Sequence, residues 1–199
     1  MPDPKTVDLF VEDLAHEAFL APLIERVAAE SDTEVAVRVR SARGGHGRVL
    51  DELRRYQERV EQGFVGLTVP DVLVVAIDTN CRRYAEARKA VASTLRGSFL
   101  EKSAIACPDP HVERWYMADP PSFRGVVGAA PKPGKRKCDR ALYKDRLART
   151  LADGGHPTLL GGLEFARDIV RTMDLYRAGK NEKSLKHFLD DVRKAIRRA

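Results

Sequence analysis

The sequence predicts an α/β protein in which a mostly parallel sheet of about four strands carries helices on both faces. Residues 72–77 form a continuous apolar and β-branched run, which is typical of a parallel strand buried on both sides. Three further strand-like runs alternate with amphipathic helical segments along the first half of the chain. This β-α-β-α-β-α-β order favours a parallel sheet.

Each element follows from its local pattern. The expected strands are residues 5–12, 34–39, 71–78 and 103–107. The expected helices are residues 15–30, 48–61, 81–93, 111–118, 141–151, 163–173 and 184–197. Asp13 can cap the first helix, and the Pro120–Pro121 pair is expected to stop the helix at 111–118.

The composition divides the chain into three parts. Residues 1–124 are predicted to form the α/β domain, and residues 125–140, rich in Gly, Pro and Lys, a basic flexible loop. Residues 141–199 are predicted to form a C-terminal helical extension packed on the same domain. We find no internal repeat.

Composition indicates a globular protein in the cytoplasm. The chain has 199 residues, of which 43% are hydrophobic and 32% charged. No apolar run approaches membrane-spanning length, and the first residues lack the pattern of a signal peptide. Cys81, Cys107 and Cys138 form no CxxC pair, so we interpret them as buried or idle thiols.

The basic charge is concentrated in the second half of the chain. The net charge is +6, and residues 132–149 contain eight Lys or Arg against two Asp. Such a distribution suits a polyanion such as nucleic acid, with DNA favoured over RNA. A solvated, highly soluble surface explains it equally well.

Acidic and amide side chains lie at the ends of two of the predicted strands. Glu12 is the last residue of the first expected strand, Asp78 is the last residue of the third, and Asn80 lies two residues beyond it. Open parallel sheets bind ligands at the carboxyl ends of their strands, and oxygen donors suit a hard divalent cation. The sequence therefore predicts a Mg²⁺ or Mn²⁺ site. The alternative is that these residues only cap the following helices.

Polar residues after the fourth strand extend this candidate site. Glu113 is a candidate metal or water ligand, and His111 a candidate proton carrier. The alternative is an ordinary helix start anchored by Trp115, the only tryptophan.

Basic residues supply candidate contacts to nucleic acid. Glycines between Arg43 and Arg48 could let the backbone approach phosphate, although the loop lacks a P-loop ending. The candidate phosphate-binding residues are Arg43, Arg48, Lys135, Arg136, Lys137 and Arg140. Lys137 or Lys144 could lie near the scissile phosphate. For each residue the alternative is an ordinary solvated loop.

The order of these motifs resembles that of TOPRIM-fold proteins. Val11-Glu12 followed by Glu17-Ala18-Phe19-Leu20 resembles their opening, and Asp78-Thr79-Asn80 resembles their DxD motif. Residues 108–119 resemble the P-x-x-E-x-W-x-x-x-D segment of the RloB-like group, related to OLD nucleases. The segments around residues 161–175 and 184–189 also resemble that group.

The resemblance implies a TOPRIM-like domain that cleaves nucleic-acid phosphodiesters with Mg²⁺ or Mn²⁺. It assigns Glu12, Asp78 and Asn80 as metal ligands, with Glu113 as an addition, and places Glu12, Asp78, Glu113, Lys137 and Lys144 in catalysis. Asn80 stands where a second aspartate is usual, so the site carries less negative charge. The resemblance further implies anti-phage defence together with an ATPase encoded nearby, and an oligomer is compatible with it.

Two other functions stay open at this point. The chain could be a non-catalytic binding or effector subunit of an ATPase-containing complex, a view that Asn80 favours. It could also be a small phosphotransfer or nucleotide-binding domain, which only the glycine loop favours.

Overall fold

The computed structural model describes residues 3–41, 45–139 and 141–199. Arg43 and Arg140, both predicted phosphate-binding residues, lie outside the described residues. None of the helices in the described ranges is both long enough and apolar enough to cross a membrane.

The predicted fold class is confirmed. The four strands are β1 (Lys5–Val11), β2 (Val35–Ser41), β3 (Val72–Ala76) and β4 (Ser103–Ala106). They form an open sheet in the order β2-β1-β3-β4, and every neighbouring pair is parallel. The fold is therefore an α/β, Rossmann-like arrangement.

Helices cover the sheet and extend the chain beyond it. They are α1 (Leu14–Ala29), α2 (His46–Glu61), α3 (Tyr84–Ala92), α4 (Gly97–Glu101), α5 (Glu113–Tyr116), α6 (Pro120–Val127), α7 (Leu142–Asp153), α8 (Ala166–Thr172), α9 (Leu175–Asn181) and α10 (Lys183–Arg198). A 3₁₀ turn at Leu163–Phe165 precedes α8, so the helix predicted at 163–173 is divided.

Two hydrophobic cores lie on opposite faces of the sheet, as side-chain alternation along a strand requires. On one face, Val74 packs with α1 and with α5 to α10. On the other, Val75 packs with α2, α3 and Phe99 of α4. Every residue of β3 is fully buried, which confirms that its apolar run is a central strand.

Two of the differences between the predicted and the observed elements have a clear cause in the backbone. Helix α3 begins at Tyr84 rather than at residue 81, because Asn80 and Cys81 have left-handed φ values of 46° and 74°. The Pro120–Pro121 pair begins helix α6 instead of ending α5. Proline suits a first helical turn because its fixed φ is helical and the missing N–H has no partner there.

Candidate functional site

The strand order places two predicted acids at the point where the sheet's connections change direction. From β1 the chain moves outward to β2, whereas from β3 it moves the other way to β4. Glu12 directly follows β1, and Asp78 follows β3 by two residues. The Asp78 backbone N–H donates to Glu12 Oε2 at 3.1 Å. Open α/β sheets bind their ligands in the crevice at this switch point.

The carboxylate of Asp78 is buried and accepts several donors. The His111 Nδ1–H donates to Oδ2 at 3.0 Å, and the Val112 backbone N–H donates to Oδ1 at 3.0 Å. His16 Nε2 lies 3.1 Å from Oδ1. Burial raises the pKa of Asp78, but the His16 charge and the His111 hydrogen bond outweigh it, so the pKa is lowered. Asp78 is therefore an anion held by two imidazoles.

His16 is a fully buried cation between two carboxylates. Its Nδ1 lies 2.8 Å from Asp13 Oδ1, while its Nε2 faces Asp78. Asp13 also caps α1, as predicted, by accepting from the Ala15 and His16 backbone N–H groups. Burial lowers the pKa of His16, but the charge of Asp78 and the Asp13 contact outweigh that effect and raise it to about 10. Sequence reasoning missed His16.

Glu113 and Glu12 add two more carboxyl groups beside Asp78. Burial, followed by the charge of Asp78, raises the pKa of Glu113. The same two causes raise the pKa of Glu12. Glu113 Oε2 is buried without a hydrogen-bond partner, and Oε1 lies 3.8 Å from Lys144 Nζ. An orphaned carboxylate oxygen is costly, so its presence calls for a ligand or a proton.

The other predicted site residues are arranged differently. The Asn80 side chain makes no hydrogen bond to these carboxylates in the part of the chain that is described; its backbone N–H donates to Pro110 O at 3.3 Å. Arg48 is exposed and lies 3.9 Å from Glu52. Lys135 and Lys137 are exposed.

The basic segment at residues 132–138 makes several contacts with the rest of the fold, although its composition predicts a flexible loop. Arg136 Nε donates to Asp109 Oδ1 at 2.6 Å, and the Lys137 backbone N–H donates to the hydroxyl of buried Tyr143 at 2.7 Å.

A disulfide joins Cys81 to Cys138. The prediction of idle thiols was therefore wrong for this pair, because the fold brings together cysteines 57 residues apart. Cys107 is free and buried, which raises its pKa to about 12.

The donor set restricts which metal could bind. Among residues 3–41, 45–139 and 141–199, no group of three or more His, Cys, Asp or Glu side chains is arranged to hold an ion. A preassembled zinc-type cage is therefore not a feature of the described chain. Mg²⁺ is commonly held by only one or two carboxylates plus water and substrate phosphate. Adjacent carboxylates and an orphaned oxygen fit that chemistry.

The fold and site together define an α/β protein with a carboxylate–histidine cluster at the switch point of a parallel sheet. No protein-family model, curated protein or solved structure matches the chain. The TOPRIM assignment therefore stays a prediction from the motifs.

Proposed function

We propose that this protein is a divalent-metal-dependent phosphodiesterase that cleaves nucleic acid, with DNA the favoured substrate. The observation that supports it best is the orphaned Oε2 of Glu113 beside the Glu12–Asp78 pair at the switch point. Burial and the charge of Asp78 raise the pKa of both Glu12 and Glu113, and a bound cation would relieve this unfavourable state. The resemblance to TOPRIM proteins implies the class of reaction, which is the cleavage of a phosphodiester.

Glu12 and Asp78 would hold Mg²⁺ or Mn²⁺ as the two direct carboxylate ligands. Glu113 stays a predicted additional ligand that could act through a bound water, and Asn80 one that could act through its amide oxygen. A bound ion supplies charge stabilisation at the phosphate and a more acidic water.

The surrounding residues position and neutralise the reacting groups. His111 shares its Nδ1–H with Asp78, which raises its pKa, so it can hold a proton near the site. Lys144 brings a cation to Glu113 at the exposed rim, where a phosphate would arrive. Lys137, Lys135 and Arg136 lie on the tethered segment, from which they could contact the nucleic-acid backbone.

One observation favours a second candidate function. Asp78 already accepts from His111 and a backbone N–H and lies 3.1 Å from the His16 cation, so its charge is compensated without a metal. A site of this kind suits a non-catalytic effector subunit that recognises a partner or nucleic acid. The ATPase partner and the role in phage defence belong to the proposal through the resemblance alone, and the cytoplasmic location through the composition of the sequence.

The two candidates give different results in one experiment. Plasmid DNA, linear DNA and RNA are incubated with the wild type, with Asp78→Asn and with Asp168→Asn, an exposed acid on α8. Each protein is tested with Mn²⁺, with Mg²⁺ and with EDTA. The nuclease proposal expects metal-dependent cutting that Asp78→Asn abolishes and Asp168→Asn preserves.

A thermal-shift titration with Mn²⁺ covers the case in which a partner protein is required for cutting. Stabilisation of the wild type that is lost in Asp78→Asn supports the metal site. Neither cutting nor Mn²⁺ stabilisation in the wild type overturns the nuclease proposal in favour of the effector.

A further inference from the structure

A cleft lies between α2 and the edge strand β2, on the sheet face opposite α1. Its volume is about 290 Å³, and its lining includes Arg40, Glu52, Arg55, Tyr56, Arg59 and Leu67. We refer to it as the α2 cleft. Three arginines against one glutamate make it a strongly cationic cavity, and sequence reasoning assigned it no role.

The floor of the α2 cleft is a fixed polar network. Asp8 on β1 is fully buried and accepts from Arg38 Nε at 2.6 Å and Arg40 Nε at 3.0 Å. It also accepts from the Tyr56 hydroxyl, and the Arg40 guanidinium lies 5.0 Å from the Tyr56 ring centre. One carboxylate therefore holds two guanidinium groups, which leaves the floor with excess positive charge.

Helix α2 forms one wall of the α2 cleft with Arg55 and Arg59, and it extends beyond the cleft to Arg48. Arg48, Glu52, Arg55 and Arg59 are spaced at i, i+4, i+7 and i+11, so they share one face of α2. Arg55 and Arg59 are exposed, and neither forms an ion pair with any carboxylate in the described ranges. Two like charges one turn apart destabilise a helix, so an anion is the expected counterpart.

An exposed aromatic residue stands at the far end of this row. Phe64 is 58% exposed, and the Arg59 guanidinium lies 5.8 Å from its ring centre. Cationic grooves with an exposed aromatic ring are typical of single-strand binding, because phosphates pair with the cations while bases stack on the ring.

The N-terminal end of α2, where Arg48 lies, is next to the carboxylate cluster. Gly45 precedes α2, and a Cβ atom placed on it would lie 4.0 Å from Glu12 Oε1. Helix α2 therefore begins beside Glu12 and leads away from it. With a rise of 1.5 Å per residue, Arg48 and Arg59 are about 16 Å apart along the helix.

We propose that a single nucleic-acid strand binds along the α2 cleft, with its phosphates on Arg48, Arg55 and Arg59 and one base stacked on Phe64. This inference rests on the proposed function, because the bound strand would lead to the proposed metal-binding carboxylates of Glu12 and Asp78. It adds a binding path on α2, distinct from the segment at 132–138. Because α2 begins beside Glu12, a strand bound along α2 would bring one of its phosphodiesters to the carboxylate cluster.

Binding is tested without metal, so that cleavage plays no part. Fluorescence anisotropy measures the affinity of a labelled oligothymidylate in EDTA for wild type, Arg55→Ala/Arg59→Ala and Phe64→Ala. The double variant is expected to raise Kd at least about tenfold. It should also flatten the slope of log K against log[salt] by about 1.4, because each single-strand phosphate contact contributes about 0.7. Phe64→Ala is expected to raise Kd about fivefold or more with little change in slope.

Matched controls remove the same groups from the opposite face of the sheet. Arg124→Ala/Arg197→Ala removes two exposed arginines from α6 and α10, and Tyr176→Ala removes an exposed aromatic ring from α9. Both should keep wild-type Kd. Equal losses in controls and cleft variants, or no loss in the cleft variants, would overturn the assignment.

Two further outcomes separate this inference from others. If a mononucleotide binds the cleft as tightly as the oligonucleotide does, the ligand of the cleft is a small phosphate compound and not a strand. That result would overturn the proposal. Binding that fails in the cleft variants while the protein cuts no nucleic acid under any condition would keep the cleft and reject the nuclease.

Discussion

The backbone N–H of Asp78 donates to the side chain of Glu12 across a gap of 66 residues in sequence and 3.1 Å in space. This bond ties the ends of two neighbouring parallel strands and fixes the spacing of two acids at the switch point. The pair carries the proposed chemistry, and most of the predictions below concern the groups that hold it.

Replacing Asp78 by Asn should abolish metal-dependent cleavage. Because the change also removes one of the two carboxylates beside the buried His16 cation, we expect a lower free energy of unfolding, and rates are compared at a temperature at which the variant is folded. The amide keeps the size of the side chain but removes the charge that attracts a cation. Metal-assisted charge stabilisation is worth several kcal/mol, so we expect a loss of about 100-fold or more in rate. Initial cleavage rates measure it, with Asp168→Asn as the control; a rate within about twofold of wild type would exclude Asp78 as a ligand.

The stability of the protein should fall as the pH rises from neutral toward the pKa of His16. That pKa is about 10 in the folded protein, against about 6.5 for an exposed histidine. Because folding raises it, the stabilisation is fully present below about pH 6.5 and is lost as pH approaches about 10.

His16→Gln isolates this contribution. The glutamine lacks the titrating ring, so its free energy of unfolding should decline less than that of the wild type between pH 7 and 10. Urea denaturation at a series of pH values measures both curves. Parallel curves would mean that His16 is neutral in the fold.

Removing the disulfide should destabilise the oxidised protein. Cys81 and Cys138 are 57 residues apart, so their bond restricts a long loop of the unfolded chain. We expect Cys138→Ser to lower the free energy of unfolding by about 2–4 kcal/mol. Denaturation with and without a reducing agent checks this, because full reduction should largely remove the difference between the two proteins.

Asp8→Ala should destabilise the fold strongly, because it leaves Arg38, Arg40 and Tyr56 without their buried acceptor. Breaking a buried ion pair from one side costs about 3–5 kcal/mol. Thermal unfolding measures the loss, with exposed Asp51→Ala on α2 as the matched control. Equal stability of the two variants would show that the network is solvated.

The sheet could be predicted well from the sequence because the side-chain pattern that marks each strand and helix is local. The apolar run at 72–77 and the alternating helical segments depend on side-chain periodicity, which burial on two faces imposes directly. The same logic predicted that Glu12 and Asp78 would lie at one edge. Helices α4, α6 and α9 were missed because they are short, with too few turns to show a period.

The remaining features depend on contacts between distant residues. His16 lies within an ordinary amphipathic helix, and nothing local shows that its ring reaches Asp78, 62 positions later. The Cys81–Cys138 pairing and the network around Asp8 likewise form only once separate segments have folded together. Asp8 interrupts an apolar strand, which is the one signal that could have indicated a buried ion pair.

Direct measurement of Mn²⁺ binding tests the central claim most sharply. Calorimetric titration of the purified protein, repeated in two buffers of different ionisation enthalpy, gives both the affinity and the protons released. We expect saturable binding with proton release, because Glu12 and Glu113 have raised pKa values and must give up protons to bind a cation. Asp78→Asn should abolish it. Binding that persists unchanged in Asp78→Asn, or no binding in the wild type, would contradict a metal centre at the switch point.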